Sequence, residues 1–108
     1  MTRSERRDDP MTERITMTER ITAAAVQVSW PHSGDAIYQA RSGGHTRCIA
    51  MAREAGYVQP IRQDEQGFVT STARFVGRFE AKMIAIAGHQ LRPGCPMVGP
   101  LYAEDIEL

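Results

Sequence analysis

Gly67-Phe68-Val69-Thr70-Ser71-Thr72-Ala73-Arg74-Phe75-Val76-Gly77-Arg78-Phe79-Glu80-Ala81 is the stretch whose reading decides the fold. Phe68, Val69 and Thr70 favour a strand, because branched and aromatic side chains pack well on a pleated surface. Thr72-Ala73-Arg74 is short and polar enough to turn the chain. Phe75-Val76 returns as a paired segment, so the two halves read as a hairpin. A helix is predicted from Arg78 to Gln90. Its stripe is Phe79, Met83, Ile86 and Ala87, widened by Ile84 and Leu91. Gly77 stands at the N-cap position, and Glu80 three residues on can reach back to an open backbone N–H.

Upstream, the pattern predicts a strand over 23–30, with Val26 and Val28 on one face. Pro31-His32-Ser33-Gly34-Asp35 is a cluster of turn formers, and 36–40, with Ile37 and Tyr38, returns as a second strand. A helix is predicted over 45–55, where Cys48, Met51, Ala52 and Ala55 recur at i, i+3, i+4 and i+7. Gly56 stops it, and 59–66, with Pro60 inside, is a loop. Downstream, Arg92-Pro93-Gly94 and Gly99-Pro100 are sharp turns, Leu101-Tyr102 reads as a last short strand, and the end is acidic. The fold class is therefore α+β: a small antiparallel sheet of three to four short strands with two helices packed on one face.

Residues 1–22 carry five arginines and five acids and have few apolar side chains, too little to bury a face. Met-Thr-Glu-Arg-Ile-Thr at 11–16 repeats at 17–22, too short for a solenoid unit. The expected organisation is a disordered, charged leader over 1–22 and a single α+β domain over 23–108. Translation starting at Met1, Met11 or Met17 is compatible with the pattern.

The formal net charge of the 108 residues is +0. Strong nonspecific nucleic-acid binding is not expected, since that work needs a basic surface. No run of about 18 apolar residues exists and the N-terminus lacks the apolar core of a secretion signal, so a cytoplasmic location is expected. Cys48 and Cys95 make no disulfide framework. Neither they nor His32, His45 and His89 have metal-site spacing, so no metal and no cofactor is expected. Cys48 lies on a helix stripe and reads as core.

The segment quoted first resembles a family of small proteins encoded by tailed phages and prophages. A strand similar to Ile21-Thr22-Ala23-Ala24-Ala25-Val26, a helix opening similar to Gly44-His45, and a closing Leu101, Glu104, Asp105 preceded by Gln90 extend the similarity to roughly 21–106. In the family, Gly is usual where Ala73 stands, Asp where Gly77 stands, and a second His where Thr46 stands. The resemblance implies a phage origin and a fold, and no mechanism.

Arg41-Ser42-Gly43-Gly44-His45-Thr46-Arg47 is the candidate binding loop. A glycine-rich link into a helix exposes N–H groups that favour anions, and Arg41, His45 and Arg47 add positive charge. It suits a phosphate or a partner's carboxylate, or it is a tight Gly turn with a solvated basic rim. Glu104 and Asp105 read as an acid pair, as metal ligands, or as a strap folding back onto Arg74, Arg78 and Arg92. The candidate site residues are thus Arg41, Gly43, Gly44, His45, Arg47, Arg74, Glu104 and Asp105. The functional expectation is a phage or prophage accessory protein that binds a host or phage macromolecule in an infected or lysogenic cell. The alternative is a small enzyme or binder acting on a nucleotide or phosphorylated ligand at the 41–47 loop.

Overall fold

The computed structural model describes residues 19–108. Of the expected leader, 1–18 lie outside the described residues. β1 runs over Ile21–Trp30, so it begins two residues before Ala23, and the boundary drawn after residue 22 falls inside the strand. The reason is local. A register shift between Ile21 and Ala23 in the pairing with the next strand lets Ile21 and Ala24 both join the core, as a bulge does.

β2 (Gly34–Ala40) returns antiparallel, with Val26 opposite Tyr38 and Val28 opposite Ala36. α1 (Gly44–Glu54) leads, by way of a 3₁₀ turn at Gln63–Glu65, to β3 (Gln66–Thr70). β3 pairs with the other edge of β1, Phe68 opposite Ala24. β4 (Phe75–Gly77) closes the hairpin with Val76 opposite Phe68, and α2 (Arg78–Ala87) follows directly. The order β2-β1-β3-β4 is that of one antiparallel sheet. β2 and β3, both antiparallel to β1, run parallel, so the connection through α1 crosses over β1. Gly67 is required where β3 meets β4: a Cβ there would collide with the Val76 carbonyl and press on the Phe75 ring.

The expected two helices on one sheet face are present. Ala24, Val26 and Val28 alternate along β1 and join Phe68 and Val76 in one buried cluster with Cys48 and Ala52 of α1 and Ala81 and Ala85 of α2. The α1 stripe holds at Cys48 and Ala52, while Ala55 becomes the C-terminal cap. Trp30 meets Tyr57 edge-on at 5.3 Å between ring centroids, closing the core beneath the first hairpin.

The α2 stripe needs correction. Ala81, Lys82 and Ala85 are its buried residues, whereas Phe79 and Met83 are 68% and 71% exposed. The helix lies close on β3 and β4, and a close approach takes small side chains at the contact. Lys82 is accepted inside because its ammonium donates to the carbonyls of Pro96 (2.8 Å) and Val98 (3.3 Å). The helix also ends at Ala87, short of Gln90. Leu101-Tyr102 forms no strand; the tail instead makes a single bridge between Leu91 and Ile106.

Candidate functional site

The 41–47 loop forms because two consecutive glycines take left-handed backbone angles, Gly43 at φ 89° and Gly44 at φ 60°. That reverses the chain from β2 into α1 in a space a Cβ would not fit: at Gly43 it would lie 2.7 Å from Arg47 Cβ. α1 then starts with no side-chain cap and no acid in its first turn. Its free N–H groups and dipole favour an anion there.

Beside the loop lies a cavity of about 510 Å³ lined by Arg41, Ser42, Gly43, Gly44, Arg92, Ala103, Glu107 and neighbours. The C-terminal segment forms its far wall. Arg92 is paired with Glu107 at 3.1 Å, which removes part of the positive charge.

His45 points away from that cavity. Its Nε2 lies 2.7 Å from the Gly67 carbonyl oxygen, so this nitrogen carries the proton and donates. Its ring meets Phe68 edge-on at 5.1 Å. Burial lowers its pKa below the usual histidine value, with the Gly67 hydrogen bond opposing, Arg78 adding to the fall and Glu104 opposing it. His45 ties α1 to β3. Arg47 is exposed on α1.

The expected strap forms with other pairings: the tail meets Arg92 through Glu107 and Arg78 through the Leu101 carbonyl, while Arg74 takes other acids. Arg74, at the tip of the second hairpin, binds Glu19 through Nε and Nη2, each at 2.8 Å, and Glu80 through Nη1 at 2.9 Å. Glu19 also accepts from the hydroxyls of Thr70 and Thr72. The Arg74 bond first, then the two threonines, hold the Glu19 carboxyl down to about 2. Asp105 turns inward on its own segment, accepting the Tyr102 N–H at 2.9 Å, and its carbonyl accepts the Arg92 N–H. A local 3₁₀ turn at Ala103–Asp105 consumes that carboxylate before it can reach Arg74. Glu80 likewise serves Arg74 and does not cap α2. Arg41, Gly43 and Gly44 therefore stand together, His45 and Glu104 lie toward Arg78, and Arg74 stands apart from both.

A second surface gathers residues that apolar periodicity had turned inward. Phe79 and Met83 stand one turn apart on the open side of α2, and Tyr102 is 46% exposed. Phe79 and Tyr102 line a cavity of about 600 Å³ with Gly77, Arg78 and Pro100. The Arg78 guanidinium lies 5.1 Å over the Tyr102 ring and donates to the Leu101 carbonyl (3.0 Å) and to Gln66 Oε1 (3.1 Å). The signal available in the sequence was the small-residue row Ala81, Ala85, Gly88, which marks the packed side of the helix and leaves Phe79 and Met83 opposite.

Cys48 is buried, its thiol donating to the Ala24 carbonyl, and burial pushes its pKa up, the reverse of what a nucleophile needs. Among the described residues no group of three His, Cys, Asp or Glu side chains is placed to hold a metal ion. No helix among them is long and apolar enough to cross a membrane.

A family model described as phage T4 y16D protein matches residues 20–106. No curated protein and no solved structure matches the chain.

Proposed function

The chain belongs to the phage T4 y16D protein family, and from that premise we propose that it is a phage accessory factor that works by docking on a host or phage macromolecule. The supporting observation is the exposed pair Phe79 and Met83 on α2, 68% and 71% accessible, with Tyr102 sharing a cavity wall with Phe79. Large apolar side chains left together in water are characteristic of an interaction surface. Aromatic residues and arginine are also the types that carry most binding energy at protein interfaces. The test is a crosslinking capture from phage-infected cells with the full chain and with Phe79→Ser/Met83→Ser. One dominant partner lost in the double variant, at unchanged melting temperature, is the expected result. Equal capture by both proteins refutes the assignment of this surface.

A second reading is favoured by the cavity of about 510 Å³ at Arg41, Gly43 and Gly44, which opens beside the uncapped start of α1. It would take a nucleotide or another phosphorylated ligand. A thermal-shift screen with nucleotides tests it: stabilisation in the native chain that is lost in Arg41→Ala supports it, and a flat response removes it.

A further inference from the structure

Arg78 is under-satisfied. A guanidinium has five N–H donors. Two serve Leu101 and Gln66, and Nε is buried without an acceptor and closed to a ligand, which leaves the second hydrogens of Nη1 and Nη2 for one. Among the described residues no carboxylate lies within 4 Å of it. The two acids on the same cavity wall each have a cation of their own: Asp64 pairs with Arg62 at 3.1 Å and Glu80 with Arg74 at 2.9 Å; Glu104 lies toward Arg78 from the C-terminal segment but forms no ion pair with it. Gly77, the N-cap of α2, supplies no side-chain acceptor, and Glu80, the acid of the first turn, is turned to Arg74 and not to Arg78. Phe79 and Tyr102 form an apolar floor around this cation.

We propose that this cavity seats a polypeptide segment carrying one carboxylate beside an apolar side chain, the carboxylate on Arg78 and the apolar group between Phe79 and Tyr102. A planar guanidinium fork suits a carboxylate, and a charge-assisted bond of this kind is about twice as strong as a neutral one. A nucleic acid fits less well, because Arg78 is the one cation lining this cavity among the described residues and a second phosphate would find none. This inference rests on the docking reading and names the chemistry of the partner.

The test is a selection of displayed random dodecapeptides on the full chain, followed by fluorescence polarisation of the enriched clones. Enriched peptides are expected to carry Asp or Glu within two positions of Phe, Leu or Trp. Replacing that acid by its amide in the peptide should weaken binding roughly ten-fold or more, as should Phe79→Ser. The peptide substitution reads the Arg78 contact without disturbing the fold, and Arg78→Lys serves as the matching protein variant. Peptides that depend on Phe79 but tolerate the amide overturn the carboxylate proposal and leave the docking reading standing. If no clone enriches, or none depends on Phe79, both fall. Competition by a dT oligonucleotide at equal concentration overturns the peptide in favour of a polyanion.

Discussion

The Gln90 side-chain amide grips both backbone polar atoms of Ile21, its Oε1 accepting the N–H and its Nε2 donating to the C=O, each at 2.8 Å, across 69 residues of sequence. An amide used this way acts as one more rung of the sheet. It satisfies the first residue of β1 just before the bulge and fastens the chain after α2 to the strand at the centre of the fold. Arg20 reinforces the joint by donating to the Gly88 carbonyl at 2.8 Å.

Gln90→Ala is therefore expected to cost about 2–3 kcal/mol, because it leaves two buried backbone groups unmet at once. Gln90 is only 8% exposed, so water cannot readily replace the amide. The urea midpoint measures this. A loss below about 0.5 kcal/mol would mean that the β1 start finds other partners.

Ala73 holds a left-handed backbone at φ 65° at the tip of the second hairpin, the position where the resembling phage proteins usually have glycine. A left-handed residue with a Cβ costs roughly 1–2 kcal/mol, partly offset by the extra freedom glycine gives the unfolded chain. Ala73→Gly should raise stability by about 0.5–1 kcal/mol, read as an increase in melting temperature. An unchanged or lower value refutes strain at this turn. Gly43→Val should do the reverse, losing about 1–2 kcal/mol or more, since φ is 89° and the Cβ meets Arg47.

The second hairpin and both helices were legible because their signals are local: the branched and aromatic side chains of Phe68-Val69-Thr70, the Cys48/Ala52 stripe, and a glycine at each helix start. The face of α2 was not. Apolar periodicity ranks Phe79 and Met83 above Ala81 and Ala85, but a helix pressed on a sheet selects by size. The partners of Gln90 and Lys82 were not legible either, since each depends on carbonyls or amides that only the finished topology brings near. The acidic tail does return to the body of the domain, through Leu91 and Ile106 and through Arg92 and Glu107. Which arginine met which acid was decided by reach. Glu19 arrives at Arg74 along the start of β1, and Asp105 is held by its own turn. The sequence alternatives for the Arg41-Arg47 loop narrow only in geometry: His45 is committed to Gly67, and Arg41 with the two glycines still faces a cavity.

Glu19 sets an acid limit. Its carboxyl is held at about 2 against an ordinary 4.5, so it favours the folded state. That contribution is complete above about pH 4.5 and disappears as pH falls toward 2. Glu19→Gln should lower the melting temperature at pH 7 by roughly 5 °C, a modest effect because Arg74 is largely in water. Between pH 5 and pH 2 the variant should lose less stability than the parent chain. Parallel pH profiles would show that the Glu19–Arg74 contact does not persist in solution.

Lys82 is the only lysine of the chain, and it is 3% exposed. Its ammonium is held by the carbonyls of Pro96 and Val98, so it pins the turn after α2 to the helix, although Met97 and Val98 themselves are 61% and 79% exposed. Two consequences can be separated. Lys82→Met keeps the length of the side chain and removes the donor. The freed carbonyls lie in an open turn where water can reach them, so the cost should be moderate, about 1–2 kcal/mol. Hydrogen exchange and proteolysis should speed up at 93–99, and not in β1. Acetylation of the native chain by an amine-reactive ester should leave Lys82 unmodified while the α-amino group reacts, because the reagent reaches Nζ only when the turn opens. Adding urea through the unfolding transition should expose Lys82 to modification in step with unfolding. Rapid labelling of Lys82 in the native chain, with stability unchanged in Lys82→Met, would show that the ammonium faces solvent and that the turn is held by other contacts.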